Sequence, residues 1–264
     1  MGNTLKSLAV CASACTVLAA GRAAPTQGGG GLVAESPAAA NPATEIDSTT
    51  LLCQGNKVQR HALENPRPAT ELRPEAQPAL SGRDVEQFHA ASWLIAQESS
   101  DRVMLMNKLA IPEDNGTGDV RDYQYIVVST NSMASEPGKP VWAVVESSSC
   151  TPTLDLGDLG AGSVTLDPSS KPAAADKVVP LLVTESDCNS GQNAEGRVEV
   201  VKLVETDSTV EVVIGVRKSD AQAASCQGNP PTPFTVHLER PLGDRAVLNA
   251  AVVPSRAIDL PSRR

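Results

Sequence analysis

Four cysteines, Cys53, Cys150, Cys188 and Cys226, stand far apart in a chain of 264 residues. Zinc sites use cysteines about two to four residues apart and redox sites use Cys-x-x-Cys, and neither spacing occurs among these four. Isolated cysteines in even number constrain a fold only where thiols oxidise, so the compartment has to be read first. The chain opens MGNTLKSLAVCASACTVLAAGRAAP: a short segment carrying Lys6, an apolar run from Leu8 to Ala20, and small residues suited to cleavage. That is the outline of an export signal over residues 1–24. The run is too short for a permanent membrane helix, which needs about 20 apolar residues. Leu8-Ala9-Val10-Cys11 has the outline of a lipidation box, so a lipid anchor is the rival to free secretion, with the bulky Val10 against it. Removal of the signal takes Cys11 and Cys15 with it. The mature chain is then secreted or held at the cell surface, with no transmembrane helix and two disulfides.

Composition narrows the partners. A formal charge of −9 disfavours nucleic acid, whose phosphates call for a basic patch. Two Trp, two Tyr and two Phe leave little material for stacking bases or sugars, so the core must be made of Val, Leu, Ala and Ile. The expected partner is an extracellular protein or an envelope component. No cofactor and no metal is called for.

Along the chain, residues 25–50 are poor in large apolar groups and read as a flexible tether. Folded structure is expected from Leu51-Leu52-Cys53. Ser81-Gly82-Arg83-Asp84 resembles a capping box, and the spacing of Val85 and Phe88 predicts a short helix over 82–91. Strands are predicted over 92–99, 102–109, 123–130 and 140–147, with a turn at 112–116, closing an α+β unit at 51–150. Residues 151–176, rich in Gly, Pro and Asp, read as a linker or long connection with one extended piece at 163–166. A β unit follows over 177–253, with strands at 178–185, 197–205, 210–217 and 234–239, and then a flexible tail over 254–264. In the third of these strands Val210, Val212, Ile214 and Val216 share one face. In the last, Phe234, Val236 and Leu238 point inward while Thr235, His237 and Glu239 point out. The fold class is therefore mainly β, α+β: a helix with an antiparallel meander, then an antiparallel sandwich-like unit.

VTESDCNSGQNAEGR (183–197) and SCQGNPPTPFTVHLERPLGDR (225–245) resemble the C-terminal part of a recurring family of uncharacterised exported proteins of actinobacteria. LLCQGN (51–56) and SSSCTP (147–152) resemble that family's N-terminal part more loosely. The resemblance implies export and a cysteine-stabilised fold, and carries no activity or catalytic residue.

Four cysteines allow three pairings, and keeping each loop within one unit favours Cys53–Cys150 and Cys188–Cys226. Arg197 and Arg245 are candidates to pair with Glu185, Asp187 or Asp244 near the second disulfide. Gly228 is a candidate for positive φ after Cys226, and the prolines after it would start and guard an edge strand. For catalysis only His61, in a polar loop, His89, in the predicted helix, and His237 offer a base, and no Gly-x-Ser-x-Gly elbow is present. Glu113 to Asp119 carries oxygen ligands around glycines but lacks EF-hand spacing, and reads as a solvated turn. The leading expectation is an exported, disulfide-stapled, non-enzymatic binding or envelope-associated protein. The alternatives are an exported hydrolase whose site the sequence does not reveal, and a protease inhibitor presenting residues 226–234 as a rigid loop.

Overall fold

The computed structural model describes residues 46–81, 88–131, 133, 136, 139–221 and 223–261. The expected signal and most of the expected tether lie outside the described residues, as does most of the helix expected over 82–91. The described part of that helix, Phe88–Ala91, is irregular chain and turn.

Strand β1 (Asp47–Cys53) starts earlier than the predicted onset at Leu51. It pairs antiparallel with β2 (Asn56–Gln59) across the turn at Gln54-Gly55. A five-residue helix, α1 (Arg60–Glu64), follows where a polar loop was expected. It buries none of its residues and has no side-chain N-cap, so no amphipathic stripe announced it. Short 3-10 turns at Ala69–Glu71 and Gln77–Ser81 lead to a meander of β3 (Leu94–Glu98), β4 (Arg102–Asp114), β5 (Val120–Ser129) and β6 (Ala143–Cys150).

Strand β4 runs past the turn predicted at Pro112. Its register passes from Lys108 opposite Tyr123 to Glu113 opposite Arg121, so residues 109–112 face Asp122 alone in a wide bulge. Pro112 is tolerated there because a bulge asks no ladder N–H of it.

Residues 151–176, read as a connection, contribute two strands, β7 (Thr153–Asp155) and β8 (Leu159–Leu166). Two of the glycines that suggested a loop sit where packing is tight: a Cβ at Gly162 would lie 2.8 Å from Val183 Cγ1, and one at Gly160 3.3 Å from Asp187 Oδ2. Strand β7 joins β1 in a three-stranded sheet ordered β2-β1-β7. Strand β8 sits inside a seven-stranded sheet with β9 (Val178–Glu185), β10 (Val198–Glu205), β11 (Thr209–Arg217), β12 (Thr232–His237), β13 (Ala246–Asn249) and β14 (Arg256–Ala257). The last strand falls in the stretch read as tail.

The sheet order is β12-β9-β8-β11-β13-β14, with β10 also on β11. All pairings are antiparallel except β11 with β13. The expected antiparallel sheet is thus mixed, because the chain leaves β11, builds β12 on the far edge, and returns in the same direction. No helix among the described residues is long and apolar enough to cross a membrane.

Alternation along the strands sorts side chains into three cores. Met104 and Met106 of β4 face one side with Tyr125 and Val127 of β5, packing on Leu51, Cys53, Val58 and Leu154. Val213 of β11 and Ala251 complete that core. Val103 and Leu105 face the other side with Ile126 and Val128, under Leu72, Leu80 and Trp93. Val210, Val212, Ile214 and Val216 share the third core with Val179, Leu181, Val183, Val236 and Leu238, as their spacing predicts.

Candidate functional site

The site is a groove of about 640 Å³ where the tip of the β4–β5 hairpin approaches β8. The tip is a tight turn. Gly116 N–H donates to Asp114 Oδ1 at 2.8 Å, and Asn115 N–H donates to Asp119 O at 2.9 Å. Gly116, Thr117 and Gly118 all have positive φ, +80°, +51° and +80°. Gly118 lies so close to β8 that a Cβ would be 2.7 Å from Val164 O, so only glycine fits both the conformation and the space. The Asp114 and Asp119 oxygens are engaged in the turn itself, where Asp119 also pairs with Arg121 at 3.0 Å, and Glu113 Oε2 accepts from Ser149 Oγ at 2.6 Å.

One wall of the groove is a closed polar network. Arg256 donates to Asp122 and, at 3.3 Å, to Val120 O. Thr151 Oγ1 reaches Val120 O at 2.5 Å and Asp122 at 3.1 Å. Further charge at the groove is unpaired among the described residues, Asp187 beside Gly160 near one end of β8 and Asp259 beside Leu166 at the other. Asp187, Lys218 and Asp259 line the groove, are exposed, and form no ion pair among the described residues.

The cysteines pair as expected. Cys53–Cys150 joins the end of β1 to the end of β6, with Cα atoms 5.5 Å apart, and Cys150 is among the residues that border the groove. Cys188–Cys226 joins the loop after β9 to the segment before β12, with Cα atoms 4.4 Å apart.

The ion-pair candidates divide. Arg197 grips Glu185 bidentately, Nη1 to Oε1 at 2.6 Å and Nη2 to Oε2 at 2.5 Å, while Nη1 also donates to Arg217 O at 2.5 Å. Glu185 holds the Arg197 guanidinium pKa above its ordinary value.

Arg245 does not join that cluster. It donates to Glu205 Oε2 at 2.7 Å, and to the carbonyls of Leu242, Arg240 and Pro241. Both partners are nearly buried, with side chains 6% and 9% exposed. Burial by itself would raise the Glu205 pKa, but Arg245 and the Glu239 amide hold it below the ordinary range. Asp187 points to the groove instead of to either arginine, and Asp244 is exposed in its turn.

Gly228 lacks the positive φ expected of it; Gly191 and Gly196, in the loop opposite, have it at +70° and +71°. The turn is made by the loop that the Cys226 segment lies against. Residues 223–231 are exposed apart from half-buried Asn229, whose Nδ2 donates to Glu185 O at 3.1 Å and Asp187 O at 2.7 Å. The stretch considered as a presented loop therefore buttresses a wall of the groove. His237 is exposed on β12 as predicted. His61 is in α1 and His89 in the turn before β3, both exposed. No histidine side chain hydrogen-bonds to Ser, Thr or a carboxylate among the described residues.

Sequence reading missed one further network. Tyr125 OH donates to Glu146 Oε1 at 2.5 Å, Asn56 Nδ2 donates to the same carboxylate at 3.2 Å, and Arg102 donates to Asn56. Burial first, and then the Glu146 carboxylate, push the Tyr125 pKa up to about 12. Its members are scattered through β2, β4, β5 and β6, so only the packing of two sheets brings them together.

Comparison with protein-family models, with curated proteins and with solved structures finds no match to this chain.

Proposed function

We propose that the chain is an exported, disulfide-stapled binding or envelope-associated protein of the actinobacterial kind its sequence resembles. It acts by holding a polar ligand in the groove between the β4–β5 hairpin and β8. The observation that carries this reading is the groove itself: a cavity in the size range of ligand sites, stiffened by Cys53–Cys150, with Asp187, Lys218 and Asp259 left unpaired at its surface. Two carboxylates and one ammonium suit a ligand that offers a cation together with a carboxylate or amides, as peptide-bearing envelope fragments do. The two intrachain disulfides support an oxidising compartment, and secretion or a lipid-anchored place at the cell surface follows from the N-terminal pattern.

Calorimetry and thermal shift against a panel of envelope peptides and muropeptide fragments test the groove. Binding that is lost in the Asp187→Ala/Lys218→Ala double variant, with the unfolding midpoint retained, supports the reading. Binding untouched by that variant, or none across the panel, overturns it. Free thiols at the four cysteines of the protein collected from its native host would overturn export. Turnover in a hydrolase screen that disappears in His237→Ala would replace binding with catalysis.

A further inference from the structure

The two disulfides differ in what surrounds them. Cys53 and Cys150 are 0% and 2% exposed, sealed within the core that holds Leu51 and Tyr123. Cys188 and Cys226 are both exposed. Reduction of a disulfide needs a thiolate to reach one of its sulfurs, so access decides which bond a solution thiol can open in the folded protein. The residues of the second bond lie open to solvent and those of the first do not.

What the exposed bond holds is equally distinct. The described residues 219–221 and 223–231 form a strap between β11 and β12, and none of their side chains enters a core. Apart from the disulfide, the strap is fixed by hydrogen bonds to the loop after β9. Ser190 N–H donates to Ser225 O at 3.0 Å, Ser225 N–H to Ser190 Oγ at 3.0 Å, and Gln227 Nε2 to Ser190 O at 2.7 Å. Asn229 bonds the carbonyls of Glu185 and Asp187. Most of these bonds are solvent-exposed, and water competes for each of them once the covalent link is gone.

We propose that Cys188–Cys226 is a thiol–disulfide exchange site, opened by an external dithiol while Cys53–Cys150 stays closed, and that opening releases the strap from the loop that carries Asp187. A thiolate of the dithiol attacks one sulfur of the pair, forming a mixed disulfide and expelling the other cysteine as a thiolate, which takes up a proton. The second thiol of the dithiol loses its proton and attacks the mixed disulfide, freeing the remaining cysteine, which is protonated in turn. The protein gains two electrons and two protons, and the dithiol leaves as its own disulfide. The consequence for ligand affinity rests on the groove being a binding site; the exchange chemistry does not.

The folded protein is titrated with dithiothreitol, trapped with iodoacetamide and mapped by peptide mass spectrometry, with hydrogen exchange recorded on the same samples. The expected result is label on Cys188 and Cys226 at a dithiol concentration about tenfold below that needed for Cys53 and Cys150. Faster exchange should appear in 186–191 and 223–231 while β4 and β11 stay protected. Simultaneous labelling of both pairs, or none before global unfolding, would overturn the exchange site. Selective labelling with unchanged exchange in the strap would overturn the release. The Cys188→Ser/Cys226→Ser variant should reproduce the exchange pattern without reductant. If it does so and ligand affinity is unaltered, the link from strap to groove fails while the exchange site stands; if the intact protein binds nothing across the panel, the groove reading fails and the exchange site still stands.

Discussion

Replacing Glu185 by alanine should cost this protein about 3 kcal/mol, more than its place at a strand end near the surface would imply. Glu185 and Arg197 have side chains only 4% and 18% exposed, and their fork-on-fork contact leaves the carboxylate no other strong donor to turn to. Without Glu185 the guanidinium keeps the Arg217 and Asn193 carbonyls, at 2.5 and 3.4 Å, but has no counter-charge. Removing one member of a buried pair typically costs about 3–5 kcal/mol, and the two surviving carbonyl contacts place this case at the lower end. With a urea slope of about 2–3 kcal/mol per molar, the midpoint should fall by at least about 1 M under non-reducing conditions. Glu185→Leu combined with Arg197→Met removes both charges, and should cost less than the sum of the two single replacements. A loss under about 1 kcal/mol in Glu185→Ala, or strict additivity in the double variant, would refute the claim that the pair is buried and mutually dependent.

Gly118→Ala should destabilise by about 2 kcal/mol or more, measured by the same unfolding assay, because it combines a positive φ with a 2.7 Å approach to Val164 O; Gly228→Ala, with nothing within 4 Å, should be nearly silent. Opening Cys53–Cys150 by paired alanine replacement should cost roughly 4.7 kcal/mol from its 97-residue separation, against about 4 kcal/mol for Cys188–Cys226 at 38 residues, read as the difference in thermal midpoint. Acid should weaken the fold through Glu98 and Glu205. For each, burial raises the pKa and arginine contacts more than offset it, leaving the folded value below the ordinary 4.5. A depressed carboxylate stabilises above its unfolded pKa, so the contribution is intact at neutral pH and drains away as pH falls through 4.5 to the folded values. Urea midpoints followed downward in pH should show this limb, and Glu205→Gln should flatten it.

What the sequence disclosed depended on how far apart the interacting residues lie. The inward face of β11, Val210, Val212, Ile214 and Val216, is legible because period-two alternation is a local property, and the inward Val236 and Leu238 with outward His237 follow from the same rule. The Cys188–Cys226 loop and the Arg197–Glu185 pair were also within reach, since both close inside one hairpin-sized neighbourhood.

Arg245 was misassigned because its partner is chosen by sheet order. Glu205 ends β10, which lies on β11, which in turn lies beside β13, and no spacing rule contains that path. Strand β8 was hidden by its own solution to crowding, glycines that look like loop residues but make room for Val183, Val216 and Asp187. The groove was invisible for the same reason as the Tyr125–Glu146–Asn56 network: its walls come from segments that meet only after the sheets have formed.

The core behind β4 and β5 is finished by Val213 and Ala251, while Val253 N–H donates to Pro152 O at 2.8 Å. A chain that emerges N-terminus first, from a ribosome or through a membrane pore, can zip the β3–β6 meander early but cannot close its inner face until residues 250–253 arrive. Leu51, Met104, Met106 and Tyr125 must therefore wait, open to water or to a chaperone. A nascent chain stalled before Ala246 should remain a protease-sensitive intermediate that keeps its meander yet lacks its lid.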